Sequence, residues 1–271
     1  MTMVEAGPIF EHLHSEFFAA LEACRIRPSQ KAVHRLRTTT RRLEALLNMA
    51  KHRCRGNVKF GQKVDKALKA LKPIRKAAGP VRDMDVQKGL LADLLKAKFL
   101  TISAAQSNIV IEEARKLQVK LKRYREASAA ELISVIINAE EREVKWISPL
   151  YTALSGIKWT SVLKAGRAVE RRSAENLHMA DPESLHAYRK NSKSARYLAE
   201  MEQESPAAER FAKRMKEILD AIGGWHDWML LTQLAKETPG KSSALIKVVK
   251  KQRDRALWRA VRAVEGFHRH A

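Results

Sequence analysis

The stretch Val33-His34-Arg35-Leu36-Arg37-Thr38-Thr39-Thr40-Arg41-Arg42-Leu43 sorts into two faces when wound at 3.6 residues per turn. Val33, Leu36, Thr40, Leu43 and Leu47 fall on one side. His34, Arg37 and Arg41 stack on the other, with Arg42 at its edge. A helix with one apolar face and one face of imidazole and guanidinium is a surface for anions. From His34 to Arg41 it covers roughly 10 Å of axis, too long for one phosphate and suited to a row of them. Arg offers phosphate a planar fork and Lys a mobile point charge. A His beside phosphates is expected to be drawn toward imidazolium.

The rest of the chain carries the same charge. In 271 residues there are 52 Lys+Arg against 30 Asp+Glu, a net +22, with a pI near 10.2. Repulsion of this size opposes compaction, so it implies an anionic partner: nucleic acid, an anionic membrane surface or another polyanion. Between Arg25 and Lys76 there are 17 Lys+Arg, opposed only by Glu44 and Asp65. The apolar fraction of 45% is enough for a core and excludes wholesale disorder. Low Gly and Pro counts (11 and 8) favour helix throughout. Cys24 and Cys54 fit neither a disulfide framework nor a zinc site. No basic-then-apolar leader opens the chain, and no run approaches the length of a membrane span. A cytoplasmic protein that does not enter the membrane is the expectation.

Helical periodicity predicts a first helix from Ile9 to Ala23 and, after Pro28 with Ser29 as N-cap, a second over about 30–50. A third is expected over 58–78, with Val64, Leu68, Leu71 and Ile74 on one side and the lysines between Lys59 and Lys76 mostly exposed. Arg75 lies next to the apolar stripe. Gly79-Pro80 is expected to stop this helix, and Asp83, with Asp85 in the first turn, to start another from Met84 to Lys98. A long helix from Ala104 to about Asn138, a connector over 141–160 and a helix over 161–177 follow. Asp181-Pro182-Glu183 reads as an N-cap with Pro at N1. Pro206 to Ile222 is a helix stopped by Gly223-Gly224, Trp225 opens the next, and Ser242 to Phe267 is the last. No segment sustains period-2 alternation, so β structure is not expected.

The order repeats. Val33-His34-x-x-Arg37-x-x-x-Arg41 returns 152 residues later as Leu185-His186-x-x-Arg189-x-x-x-Lys193. The capping residues Ser29 and Asp181 keep that offset, and Gly79-Pro80-Val81-Arg82-Asp83 returns as Gly223-Gly224-Trp225-His226-Asp227. An internal duplication of a roughly four-helix unit is the expected organisation, with residues 1–140 and 141–271 as its two copies. A lone basic helix face is most often merely solvated. Two copies with His and Arg in matching positions argue against that.

The paired His-x-x-Arg-x-x-x-Arg/Lys helices, the Arg82-Asp83-x-Asp85-Val86 turn, the duplicated layout and the basic balance resemble the CHAD domain, the conserved histidine α-helical domain, from about Pro8 to Phe267. The resemblance implies an all-α fold of two four-helix bundles related by pseudo-twofold symmetry around a basic pore or groove. It also implies binding of long-chain inorganic polyphosphate and association with polyphosphate granules. Carried over, the first copy supplies His34, Arg37, Arg41 and Arg42. The second supplies His186, Arg189, Lys193 and Arg196. Arg75, Arg82 and Lys190 complete the candidate set. There are departures: Glu44 stands where the second copy has Arg196, Ser194 where the first has Arg42, and His226 before Asp227 where Arg is expected. They point to an asymmetric pore or a weaker second copy.

Other chemistries fit less well. Glu141-x-Glu143-x-Lys145 matches the signature of tunnel-type triphosphatases, which resemble frequent fusion partners of CHAD domains, but no alternating strands are expected to build such a barrel and this segment reads as helix. No Ser-His-Asp, P-loop or HExxH pattern is present. The Arg and Lys around the two histidines would repel a cation, so no metal or other cofactor is expected. The chain is expected not to be an enzyme. The competing reading is a basic helical nucleic-acid binder, and weak non-specific nucleic-acid binding is expected on charge alone. Its aromatic content of 6%, not interleaved with the basic helices, disfavours single-strand stacking.

Overall fold

The computed structural model describes residues 3–96, 104–142, 144–179, 181–202, 204–237 and 244–269. The first half comprises α1 (Ala6–Ile26), α2 (Gln30–Arg53), α3 (Val58–Lys96) and α4 (Ala104–Arg142). A short 3-10 turn (Val144–Trp146) and α5 (Leu150–Leu154) connect it to α6 (Val162–Ala174), α7 (Pro182–Glu200), α8 (Pro206–Lys236) and α9 (Ala244–Arg269). The fold is all-α. Against expectation, the described residues include one small piece of β structure: β1 (Met3–Glu5) pairs antiparallel with β2 (Lys158–Thr160). Each strand is only three residues long, too short to show a period of two. Val4 and Trp159 turn inward from it.

Both proposed helix stops are overturned. Pro73 and Pro80 lie inside α3, which runs 39 residues without a break. A proline inside a helix removes one hydrogen bond and crowds the preceding turn, at a cost of about 3 kcal/mol. Both rings lie on the solvent side, where the freed carbonyls can be hydrated. Ile74, Ala77, Ala78 and Val81 are buried on the opposite side and hold the helix in place. Asp83 and Asp85 are therefore mid-helix residues, not caps. Asp85 instead accepts from Arg125 of α4 (3.0 Å), whose guanidinium also reaches the Pro28 carbonyl before α2. Gly223-Gly224 likewise lies within α8, between buried Ile222 and Trp225. The expected ends at Lys98 and Ser242, and Glu143 of the triphosphatase-like pattern, lie outside the described residues.

Within each half, consecutive helices pack together: α1 with α2, α2 with α3, α3 with α4, then α6 with α7, α7 with α8, α8 with α9. Between halves, α2 meets α7, α3 meets α8 and α4 meets α9. One apolar cluster fills the first half, including Phe10, Phe17, Leu46 and Ile74. A second fills α7–α9 around Tyr188, Met215 and Trp225. A third joins Leu91 and Leu117 to Leu231 and Val249, where α3 and α4 meet α8 and α9. A Cβ on Gly166 would stand 2.9 Å from the Ala195 carbonyl oxygen, which explains why α6 can lie so close to α7. Among the described residues, no helix is long and apolar enough to cross a membrane.

Candidate anion-binding site

The two basic faces start from matched caps. The Ser29 hydroxyl accepts from the Ala32 amide (3.2 Å), and the Asp181 carboxylate accepts from the amides of Glu183 and Ser184 (both 3.0 Å). Five residues on from each cap stand His34 and His186. Beneath them Val33, Leu36 and Leu43 in α2, and Leu185, Tyr188 and Ala195 in α7, are buried. Burial of one face turns the other toward the crossing of α2 with α7 and of α3 with α8.

The cations of both halves meet there. Lys193 feels the charges of Arg189, Arg41, Arg37 and Arg82. Arg189 feels Asp227 first, then Arg82, Arg41 and Asp83, and Arg37 feels Asp83 first, then Arg41, Arg82 and Arg75. Burial, then these neighbours, pushes Lys193 down to about 6. Arg37 is lowered to about 10, chiefly by burial. Arg41 and Arg189 are also lowered by burial. Among the described residues, Arg37, Arg41, Arg189 and Lys193 form no ion pair with a carboxylate, while other cations around them do.

The glycines misread as helix stops explain how two of these arginines are held. Arg37 lies on Gly79 and donates to the Arg75 carbonyl (3.4 Å); Arg189 lies on Gly223 and donates to the Leu219 carbonyl (3.3 Å). Each acceptor is four residues before its glycine. A Cβ would stand 3.2 Å from Arg37 Nη1 at Gly79, and 2.8 Å from Arg189 Nη2 at Gly223. The missing Cβ makes a bed for a guanidinium along a continuous helix. Gly223→Ala should therefore displace Arg189 rather than α8, because the guanidinium ends a flexible side chain. Alanine also favours the helix by up to about 1 kcal/mol. The expected result is an unchanged or higher Tm with roughly tenfold weaker polyphosphate binding by equilibrium titration, about one charge-assisted contact. A lower Tm with unchanged affinity would show that the glycine serves packing alone.

The remaining predicted residues divide. Arg82 donates two hydrogen bonds to Asp227 across the halves (2.8 and 3.2 Å) and one to Asp83 (3.1 Å). Burial opposes its charge, yet Asp227 and then Asp83 raise it above its ordinary value. Arg75 pairs with Glu44 (2.7 Å), so the acidic departure from the repeat is a partner rather than a gap. Glu200 takes Arg196 on one oxygen (2.8 Å) and Arg42 on the other (3.0 Å). Arg42 is thereby turned toward a separate cavity near Pro8 and Tyr197. His34 and Lys190 are exposed.

The surroundings of the histidines push them away from imidazolium. His34, although exposed over much of its surface, is pushed below its ordinary value by partial desolvation, then by Arg82, Arg37 and Arg196. His186 is pushed down by burial, then by Arg189, Lys190 and Lys193. Its ring stacks on His226 at 4.3 Å between centroids, and its Nδ1 is buried without a hydrogen-bond partner. His226 falls to about 4 through burial, then His186 and Arg189. His226 and Asp227, which the sequence marks only as a departure from the repeat, join the site although they are not in the candidate set. The signal was their place in the repeat, where His226 matches Arg82.

A model of the CHAD domain matches residues 9–236 of this chain. The fold is similar to the crystal structure of the CHAD domain from the plant Ricinus communis, with 18% identity and a TM-score of 0.62 over 94% of this chain and 85% of that one. It is also similar to PptA from Streptomyces chartreusis, with 15% identity and a TM-score of 0.61 over 98% and 97% of the two chains. No curated protein matches the sequence. The matched helices carry both His-x-x-Arg faces and both arginine beds, and the chain belongs to the CHAD domain family.

Proposed function

We propose that this protein binds long-chain inorganic polyphosphate, without cleaving or transferring it, in a basic pore or groove where α2, α3, α7 and α8 cross. The observation that carries the reading is the cluster of Arg37, Arg41 and Arg189, half-buried and in no ion pair with a carboxylate among the described residues, dense enough in charge to help burial push Lys193 beside them down to about 6. Charges in this state destabilise the free protein, and a flexible chain of phosphates offsets them along its length. His34, His186, Lys190 and Arg196 flank this set. Arg75 and Arg82, tied to Glu44 and Asp227, frame it. The matched caps and beds support reading the halves as copies that each give one wall. A store of polyphosphate, such as a granule, is where such a protein would collect.

The test is a thermal melt at low salt with polyphosphate, orthophosphate and no anion. A ligand that binds only the folded state raises Tm. Polyphosphate should raise it by several degrees, and orthophosphate far less at equal phosphate. No shift with polyphosphate would refute the reading. Phosphate release, with and without Mg²⁺, should stay at background. Turnover would make the protein an enzyme instead.

A further inference from the structure

A second concave site shares no residue with the basic set at the crossing: α2, β2, α6 and α7 enclose an open cavity of about 810 Å³. Its floor is apolar: Ala45 and Met49 from α2, Ala165, Ala168 and Val169 from α6, and Leu198 from α7. Its rim is basic, formed by Arg53, Arg55, Lys164 and Arg172 with His52 beside them, and no Asp or Glu lines it. All five rim residues are exposed, and none forms an ion pair among the described residues. Arg53 donates to the Thr160 carbonyl (3.1 Å) and Arg172 to the Ala168 carbonyl (3.3 Å). Neutral acceptors hold these guanidinium groups at the cavity while leaving their charge uncompensated.

One wall residue, which also borders a second cavity lined by Arg167, Arg171 and Arg210, has a strained backbone. Ser161, in the cavity wall, is the non-glycine residue with positive φ (58°) among the described residues. The left-handed region costs a non-glycine residue roughly 1–3 kcal/mol, and such strain gathers at functional sites. Ser161 precedes α6, yet its hydroxyl makes no capping hydrogen bond. Glu202 instead accepts from the Leu163 amide (2.8 Å).

Polyphosphate explains the rim but not the floor, since it has no apolar part to bury. We propose that this cavity binds a small amphiphilic anion: one carboxylate or phosphate head at the cationic rim and an aliphatic body over the alanine floor. The volume lies within the roughly 300–1,000 Å³ of ordinary small-molecule sites. A second copy of this chain, at +22, is repelled by such a rim.

The probes are dodecanoate and dodecyl phosphate, titrated calorimetrically below their micelle concentrations. Neutral dodecyl maltoside, orthophosphate and vesicles of phosphatidylglycerol serve as comparisons. Saturable 1:1 binding of at least one anionic probe is expected, at least tenfold tighter than dodecyl maltoside or orthophosphate. Ala168→Leu, which fills the floor, should weaken it at least tenfold while leaving the melt and polyphosphate affinity unchanged. If that variant melts early, Arg53→Gln with Arg172→Gln supplies the same comparison from the rim. Binding that survives both the floor and the rim variants, equal binding of the neutral amphiphile, or binding only to vesicles would overturn the proposal. Because polyphosphate is measured in parallel, failure here is distinguishable from failure at the crossing.

Discussion

Lys193→Met should melt about 10 °C higher than the native chain when no anion is present. At pH 7 the unfolded chain carries this lysine charged, whereas the folded chain holds it near a pKa of about 6. The difference corresponds to on the order of 4 kcal/mol, and each kcal/mol moves Tm by about 2–4 °C in a chain of this size. Methionine fills a similar length without the charge. The pH dependence has a definite sign. Between about pH 6 and the ordinary lysine value of 10.5 the unfolded state binds more protons, so the native chain gains stability as pH rises through this window. Lys193→Met should lose that slope. Phosphates at the crossing restore the ammonium, so binding takes up a proton, and polyphosphate affinity should fall as pH rises above about 6. A variant no more stable than the native chain would show that Lys193 is not confined among cations.

Arg37→Ala combined with Arg41→Ala should weaken polyphosphate binding by about 100-fold or more at fixed salt. Each charge-assisted hydrogen bond contributes roughly 1.5–3 kcal/mol. Neither side chain belongs to an apolar cluster, so far-UV circular dichroism should be unchanged. The slope of log affinity against log salt should also fall, by about 1.4 for two contacts on a single-stranded polyanion. Loss of helicity would mean that the face is structural. Unchanged affinity would place the ligand elsewhere.

The basic face of α2 is legible because period 3.6 separates Val33, Leu36 and Leu43 from His34, Arg37 and Arg41, and burial follows that separation. The N-caps at Ser29 and Asp181 are equally legible, since a cap depends on one side chain and the next turn. Gly79-Pro80 and Gly223-Gly224 mislead because propensity is local. Their helices continue because buried neighbours on the opposite side outweigh the local penalty. What the glycines do becomes visible only when Arg37 and Arg189 arrive from other helices. The pairing of Arg82 with Asp227, 145 residues away, is of the same kind. So is the sharing of Glu200 between Arg42 and Arg196. No sequence spacing encodes which carboxylate a cation will meet across two halves. The resulting asymmetry is sharper than the repeat suggests: Glu44 and Glu200 pair with Arg75, Arg196 and Arg42, leaving Arg37, Arg41, Arg189 and Lys193 without an ion pair among the described residues, while Asp83, Glu44 and Asp227 act on the three arginines at longer range.

The most direct measurement is a competition between polyanions on the native protein. Labelled duplex DNA is pre-bound at low salt and displaced by polyphosphate or by unlabelled duplex at matched total charge, with fluorescence anisotropy as the readout. A site built from half-buried cations reached by a thin, flexible chain should release the DNA at far lower concentrations of polyphosphate. Duplex that competes as well as polyphosphate, or better, would contradict the account.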